Sequence, residues 1–183
     1  MIDYIVLGMV QNEVLTGYEI KKWIEVGIGN FYKASYGNLY PALKRLTDKK
    51  FVTMNEESQG GRIKKYYKTT ELGKKAFMEW LSLPFDFTLG GSALMAKIYF
   101  FGHLPDEIRK QRLKEYEMHY SQSLQKLKAM EKDVSNADVD ADYFMLSTLY
   151  FGIRNTQTAI EWFRHIAEEK PLSEFIEMDK MSI

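Results

Sequence analysis

The segment at residues 35–46, SYGNLYPALKRL, combines side chains that bind nucleic acid with the spacing of an amphipathic helix. Leu39, Leu43 and Leu46 recur at helical intervals, so the polar and cationic residues between them lie on faces turned away from the core. Asparagine and serine bond base edges, lysine binds phosphate, and a tyrosine packs its ring while its hydroxyl donates to phosphate. We therefore predict DNA contacts from Tyr18, Ser35, Tyr36, Asn38, Tyr40 and Lys44.

A basic hairpin is predicted after this helix. Residues 51–57 and 63–69 are rich in β-branched and aromatic residues, and a polar turn with Gly60-Gly61 separates them. Glycines let the backbone of such a turn come close to a phosphate chain. Side chains alternate between the two faces of a strand, so one of the two lysines beside the turn is expected to make no DNA contact. The cations predicted to bind DNA are Arg62, Lys64 and Lys65.

Further helices surround these two segments. The apolar run at residues 2–10 predicts the first helix. Thr16, with Glu19 three residues later, predicts a capping box at the start of the second. Thr70 is the expected cap of a fourth helix that ends before Pro84. The apolar face expected on this fourth helix holds Leu72, Ala76 and Trp80, with Phe77 and Leu81 beside them.

The third helix is interrupted in sequence by Pro41. Ser35 is its expected N-cap, and the helical spacing continues to about residue 50. Proline is tolerated in the first turn of a helix but not deeper. Either the helix therefore begins near Asn38, or its first turn is distorted.

Over about residues 4–83 these motifs resemble the DNA-binding domain of the PadR family of bacterial transcriptional regulators. The matching pieces are Leu7-Gly8, Gly17-Tyr18-Glu19-Ile20, Ser35-Tyr36-Gly37-Asn38-Leu39-Tyr40-Pro41-Ala42-Leu43, Gly61-Arg62, Lys65-Tyr66-Tyr67 and Thr70-Glu71-Leu72-Gly73. Residues 88–180 resemble, through looser motifs, the longer helical C-terminal domain of one branch of that family. The resemblance favours a third helix that runs through Pro41.

Composition bounds the class of protein. The 183 residues, with 45% hydrophobic content, suffice for one or two small cores. No apolar run approaches the roughly 18 residues of a membrane-spanning helix, and no leader pattern is present, so we predict a cytoplasmic protein without membrane contact. The chain has no cysteine, which excludes disulfides, thiolate metal sites and a cysteine nucleophile.

The formal net charge is zero, but the charge is divided unevenly. Residues 1–82 hold 13 Lys and Arg against 9 Asp and Glu, a net +4, whereas residues 83–183 hold 12 against 16, a net −4. Phosphate binding depends on local basic surface and not on the whole-chain sum. The division is typical of a DNA-binding domain joined to an acidic dimerisation domain.

The C-terminal part is predicted to be helical almost throughout. A short helix is expected at residues 92–101 and two long ones after it, separated by a loop at 135–140. The first long helix carries a stripe at heptad spacing that resembles a coiled-coil seam. We expect the stripe to find too few neighbours in its own chain and to form a dimer interface. Its residues are Leu113, Tyr116, Tyr120, Leu127, Met130 and Val134.

No enzyme, cofactor or metal site is predicted. Nucleophile-elbow, phosphate-loop and dinucleotide motifs are missing from the sequence. The three histidines, His103, His119 and His165, have no second histidine three or four residues away. We therefore predict no catalytic residues, no cofactor and no metal ligands.

A small aromatic effector is a further expectation. Some PadR-like regulators respond to phenolic acids, so the resemblance implies an effector site between the two domains. Arg154 follows Tyr150 by one helical turn, and an arginine beside aromatic rings can hold an aromatic carboxylate. The candidate effector residues are Tyr150, Arg154 and Trp162.

The predicted fold is mainly α with a small β-hairpin wing. A winged helix-turn-helix occupies residues 1–83, an all-α dimerisation domain occupies 88–183, and residues 84–91 are the expected boundary. The predicted function is that of a homodimeric, sequence-specific transcriptional regulator of the PadR type. A repressor is favoured over an activator. Two domains on a twofold axis would read a palindromic double-stranded operator with half-sites about 34 Å apart. The alternative is a winged-helix protein-interaction module that does not bind DNA.

Overall fold

The computed structural model describes residues 1–59, 61–136 and 142–178. Gly60 of the predicted turn and residues 137–140 of the predicted loop lie outside this part. The chain forms two compact units, Met1–Pro105 and Asp106–Ile183. In the first unit the elements are α1 (Ile2–Met9), β1 (Leu15–Thr16), α2 (Gly17–Ile28), α3 (Tyr36–Asp48), β2 (Val52–Gln59), β3 (Arg62–Thr69), α4 (Glu71–Ser82), α5 (Gly91–Ile98) and short 3-10 helices at Phe87–Leu89 and Phe101–His103.

The core of the first unit is built from apolar faces of its helices. In α2 and α3 the buried residues recur at helical spacing, whereas α1 buries four consecutive residues. The two central ones, α2 and α3, pack against α1 and against each other. Their buried residues are Ile20, Ile24, Ile28, Leu39, Ala42, Leu43 and Leu46.

The predicted caps are confirmed. The Thr16 hydroxyl accepts a hydrogen bond from the Glu19 N–H (3.3 Å), and the Glu19 carboxylate accepts one from the Thr16 N–H (2.8 Å). Thr70 caps α4 by accepting from the Gly73 N–H at 3.0 Å. Pro41 lies inside α3, as the resemblance favoured, and the helix is continuous from Tyr36 to Asp48.

The hairpin is part of a three-stranded antiparallel sheet in the order β1-β3-β2. Val52 pairs with Thr69 at the base, and Glu57 pairs with Lys64 near the tip. The two-residue strand β1 was not predicted from the sequence because it is too short to carry a periodic pattern. It pairs Leu15 with Tyr67 and thereby joins the hairpin to the start of α2.

The buried face of α4 differs from the predicted one. Phe77 and Leu81 are fully buried, as expected, but Leu72 is 52% exposed and is wrongly placed on that face. The third member of the buried row is Gly73, which lies against the backbone carbonyl of Phe51. Only a residue without a side chain fits at this position. The contact between Gly73 and Phe51 therefore fixes how α4 is rotated about its own axis.

The two compact units divide after Pro105, not at the expected boundary of residues 84–91. Aromatic packing explains why the intervening segment belongs with the first unit. The Phe100 ring lies directly on Gly8 of α1 and edge-on to Phe77 of α4, with 5.5 Å between ring centroids. The Tyr99 ring packs on Gly27 of α2. Residues 88–105 thus complete the core of the first unit.

The second unit is a long helical hairpin with a short third helix. Its elements are α6 (Asp106–Asn136), α7 (Tyr143–Ala167) and α8 (Leu172–Met178). The Phe163 ring of α7 lies 5.8 Å from Tyr116 and 5.3 Å from Tyr120 of α6, centroid to centroid. Ion pairs join Glu117 to Arg164 and Arg109 to Glu169 across the hairpin.

Among the described residues of both units, every helix is too short or too polar to span a membrane.

The apolar stripe on α6 was expected to find too few neighbours in its own chain. This expectation is wrong for the first half of the stripe. Leu113 and Tyr116 are fully buried within the single chain, and Tyr120 is partly buried against Phe163. Further along, the Leu127 methyl groups lie beside Gly152 of α7. The stripe faces α7 because an antiparallel neighbour in the same chain supplies the apolar surface that heptad spacing requires. Met130 and Val134 lie nearer the end of α6, where Met130 is 55% exposed.

The contact between Gly73 and Phe51 can be tested by alanine substitutions at two glycines, each in the first turn of a helix. Gly73→Ala should destabilise the protein by about 1–3 kcal/mol, because the new methyl group would overlap the Phe51 carbonyl oxygen. Gly37→Ala in α3 is the matched control, since its methyl group would meet only the Ser35 hydroxyl at 3.6 Å. The control should be neutral or stabilise by up to about 1 kcal/mol. Thermal unfolding measures both, and equal effects would contradict the Phe51 contact.

Candidate nucleic-acid interface

A groove of about 1060 Å³ lies between the helices and the hairpin of the first unit. One wall comes from the start of α2 and the outer face of α3, and the other from β3. Five of the nine predicted DNA-binding residues line it: Tyr18, Tyr40, Lys44, Lys64 and Lys65. The structure therefore brings together side chains that are up to 47 positions apart in the chain. We call this surface the groove.

The N-terminus of α3 uses two of the predicted base-reading residues as a cap. The Asn38 Oδ1 accepts a hydrogen bond from the Ser35 N–H at 2.9 Å, and the Ser35 hydroxyl accepts one from the Asn38 N–H at 3.3 Å. These bonds hold both side chains at the start of the helix. A two-bond contact from Asn38 to adenine would use the second lone pair of Oδ1 together with an amide N–H. Base reading by Ser35 and Asn38 stays a prediction.

Tyrosine rings form the apolar part of the interface. The Tyr40 ring packs on Gly17 at the start of α2, where a Cβ would lie 3.1 Å from it, and it stacks on Tyr36 with 5.9 Å between centroids. The Lys21 ammonium lies 5.0 Å from the centre of the Tyr36 ring. Tyr18 is 65% exposed. These rings offer exposed edges and hydroxyls beside the cationic side chains.

Carboxylates stand beside the lysines of the groove. Lys44 pairs with Asp48 one turn later at 3.1 Å, and Lys65 pairs with Glu56 on the neighbouring strand at 3.4 Å. Lys64 lies opposite Glu57 in the strand register. All of these pairs are exposed to solvent, where such ion pairs contribute little to folding stability.

Glu19 is the other acidic residue that lines the groove. Its pKa is lowered, first by the hydrogen bond from the Thr16 N–H and then by that from the Thr16 hydroxyl. The positive charges of Lys64 and Lys22 contribute further. The capping box at the start of α2 is thus coupled to the charge of the hairpin.

Both lysines beside the turn line the groove, although they alternate along β3. Tyr67, on the same face as Lys65, is buried, and burial raises its pKa. Ile63 near the tip is 69% exposed and also lines the groove. Strand alternation therefore does not decide between Lys64 and Lys65. The Arg62 side chain lies outside the described part, so its predicted contact is untested.

Sequence reasoning missed several residues of the groove. Lys22 and Thr47 contribute from the helices, and Met54, Ile63 and Tyr66 contribute from the strands. Lys22 could have been found from its position four residues after Tyr18, because residues at that spacing share a helix face. Arg45 is exposed, as expected, and it binds Asp3 of α1 through two hydrogen bonds.

The candidate effector residues do not form one compact site. Tyr150 and Arg154 lie one turn apart on α7, and both are exposed to solvent. Trp162 is partly buried, and its ring lies 5.1 Å from that of Phe163. Eight residues of helix, about 12 Å along the axis, separate Trp162 from Arg154.

The histidines occupy structural positions. The His165 ring nitrogen lies 2.9 Å from the Pro171 carbonyl oxygen and helps to turn the chain into α8. His103 packs edge-on against Phe77, and His119 against Tyr120. In the part of the chain that the structure describes, no three His, Asp or Glu side chains are grouped as metal ligands.

Two family models match the chain. Residues 6–79 match the transcriptional regulator PadR-like family, and residues 92–169 match the family described as virulence activator alpha C-term. A curated relative, the negative transcriptional regulator PadR of Bacillus subtilis (strain 168), is 27% identical over 178 residues. That alignment covers 91% of this chain and 95% of the relative.

Three solved structures are similar. Bacillus subtilis PadR in complex with operator DNA is 25% identical, with a TM-score of 0.45 and coverage of 91% of this chain and 96% of that one. The same protein in complex with p-coumaric acid is 22% identical, with a TM-score of 0.41 and the same coverage. The protein smu.1604c from Streptococcus mutans UA159 is 21% identical, with a TM-score of 0.45 and coverage of 91% and 98%.

The coupling at Glu19 predicts a pH dependence of stability. A carboxylate whose pKa is lower in the folded than in the unfolded state stabilises the fold above its unfolded pKa, and this contribution is lost as the pH falls through the folded pKa. Glu19→Gln should therefore lower the melting temperature at pH 7, and the difference from the unaltered protein should shrink at about pH 3.5. Glu13→Gln, at an exposed glutamate outside α2, is the control. A deficit independent of pH would contradict the assignment.

Proposed function

Because this chain belongs to the PadR-like family of transcriptional regulators, we propose that it binds double-stranded operator DNA through the groove and represses transcription. The observation that carries the proposal is the convergence of Tyr18, Tyr40 and Lys44 from the helices with Lys64 and Lys65 from β3 on one surface. That surface lies within the segment that matches the family model. Phosphates require local positive charge, and the groove supplies it from two walls.

The exposed face of α3 is the proposed recognition element. In helix-turn-helix proteins the second helix enters the major groove while neighbouring elements contact the backbone. Here Tyr40 and Lys44 lie one turn apart along α3, so both reach the same stretch of groove wall. The lysines of β3 are proposed to bind flanking phosphates, which position the protein and carry little sequence information.

Repression is proposed from the curated relative, whose name describes a negative transcriptional regulator. A DNA-bound protein of this kind blocks transcription by occupying a promoter. The structure of Bacillus subtilis PadR has been solved in complex with p-coumaric acid. We propose that a small aromatic acid is also the effector of this chain. The separation of Arg154 from Trp162 does not favour a common effector site at the three predicted residues.

A second copy of this chain is the proposed partner of α7. Four aromatic residues in the first half of α7 are exposed, and the exposed fraction of Phe151, for example, is 68%. A row of exposed aromatic residues is typical of a protein interface. Two copies related by a twofold axis would place two groove surfaces on a palindromic operator. The four residues are Tyr143, Phe144, Tyr150 and Phe151.

This function requires no catalytic step, and the expectation that the chain is not an enzyme stays a prediction. Bacterial operators lie in the cytoplasm, and we propose that compartment for the protein. Footprinting on the promoter nearest its own gene tests the proposed function as a whole. Protection of a palindromic site is expected, and the lack of any protected site, together with no salt-dependent binding to DNA, would favour the protein-interaction alternative.

Lys44→Ala tests the groove directly. It should weaken binding to operator and random DNA by similar factors, because a contact to phosphate carries little sequence information. Lys75→Ala is the matched control, because Lys75 also pairs with a carboxylate one turn later, Glu79 at 4.0 Å, but lies on α4 outside the groove lining. Fluorescence anisotropy measures both. Equal behaviour of the two variants would exclude Lys44 from the interface.

Phe151→Asp tests the dimer surface. Burying an unpaired carboxylate costs several kcal/mol, enough to shift a dimer dissociation constant by orders of magnitude. Sedimentation should therefore detect a monomer with unchanged helical content. Gln125→Asp adds the same charge at an exposed position of α6 and should leave the dimer intact. A dimer that survives Phe151→Asp with unaltered affinity would exclude this face.

A further inference from the structure

Four lysines line the groove, and two carboxylates, Glu19 and Asp48, line it with them. Lys44 pairs with Asp48 and Lys65 pairs with Glu56, both through contacts that remain open to solvent. Glu57 lies opposite Lys64, and Glu19 lies in the same groove. The cationic groups that would bind phosphate thus stand beside anionic groups of the same chain.

The position of Asp48 adds a second observation. Asp48 is the last residue of α3, where the helix dipole disfavours a negative charge. Its carboxylate reaches back one turn to Lys44, which lines the groove. Glu56 similarly reaches across the hairpin to Lys65. Both acidic residues therefore occupy exposed positions where their contact is with a groove lysine.

We propose that Asp48 and Glu56 compete with DNA phosphates for Lys44 and Lys65 and thereby keep the affinity of the groove for DNA of any sequence low. This inference rests on the proposed function. Exposed ion pairs are weak enough to exchange, so a phosphate can replace the carboxylate. The displaced carboxylate then stays close to the DNA and repels it or takes up a cation from solution.

The exchange has a consequence for salt dependence. A lysine that binds phosphate releases about one counterion from DNA. A carboxylate that loses its lysine takes up a counterion in return, so the net release at an exchanged pair is smaller. The observed salt slope is then lower than the number of contacting lysines. Removing the carboxylate should restore the full release at that lysine.

The experiment compares Asp48→Asn, Glu56→Gln and the double variant with the unaltered full chain. The probe is a fluorescein-labelled duplex of random sequence, and anisotropy is measured over a range of salt concentrations. Each single variant should bind more tightly at low salt, and the double variant should steepen the log–log salt slope by about two units per DNA-binding domain. A promoter duplex identified by footprinting should gain affinity by a similar factor.

Two controls separate competition from general charge. Glu79→Gln removes one negative charge from the first unit at the exposed pair with Lys75 on α4, and it should leave DNA affinity nearly unchanged. Asp48→Glu retains the charge and a reach to Lys44, and it should behave like the unaltered chain. Neither Asp48 nor Glu56 is buried, so melting temperatures should stay close to that of the unaltered protein.

The outcomes are distinguishable. Unchanged affinity and slope in the double variant, with DNA binding that still depends on Lys44, would overturn the inference and leave the proposed function standing. An equal gain from Glu79→Gln would also overturn it, because net charge and not local competition would then govern binding. If neither the unaltered chain nor any variant binds DNA, both the inference and the proposed function are wrong.

Discussion

The burial of one apolar stripe on α3 determines what the surface of the first unit can do. The stripe fixes the rotation of the helix about its axis, and its members are Leu39, Ala42, Leu43 and Leu46. The residues beside it are then assigned to opposite flanks. Tyr40 and Lys44 lie on the flank that faces β3, whereas Arg45 lies on the other flank and binds Asp3 of α1. One buried surface thus separates a cation that faces the groove from one that contacts α1.

The hairpin depends on the same unit through β1. Pairing of Leu15 with Tyr67 and of Thr16 with Tyr66 joins β3 to the residues that immediately precede α2. Thr16 also caps α2, so the sheet and the helix share one residue. The two walls of the groove are therefore connected by backbone hydrogen bonds and by a capping box. A groove built in this way keeps its lysines at defined separations, which positioning on a regular phosphate chain requires.

Features decided by local chemistry could be predicted from the sequence, and features decided by distant partners could not. The caps at Thr16 and Thr70 involve residues three positions apart, and the hairpin follows from alternation and a glycine turn. The stripe at Leu113 and Tyr116 was detected correctly as apolar but assigned to a second chain, because its real neighbour, Phe163, lies 47 residues beyond Tyr116. Five predicted residues meet in the groove, whereas the pair of Glu56 with Lys65 depends on strand register and was not foreseen.

Backbone amide NMR during titration with a promoter duplex locates the DNA contact without altering the protein. If the groove binds DNA, the largest shifts should fall at the start of α2, along α3 and in β3, around Tyr18, Tyr40 and Lys64. Residues of α4 that lie outside the groove lining, such as Lys75, should change little. Shifts confined to α4 or to the second unit, with α3 and β3 unaffected, would contradict the claim that the groove binds DNA.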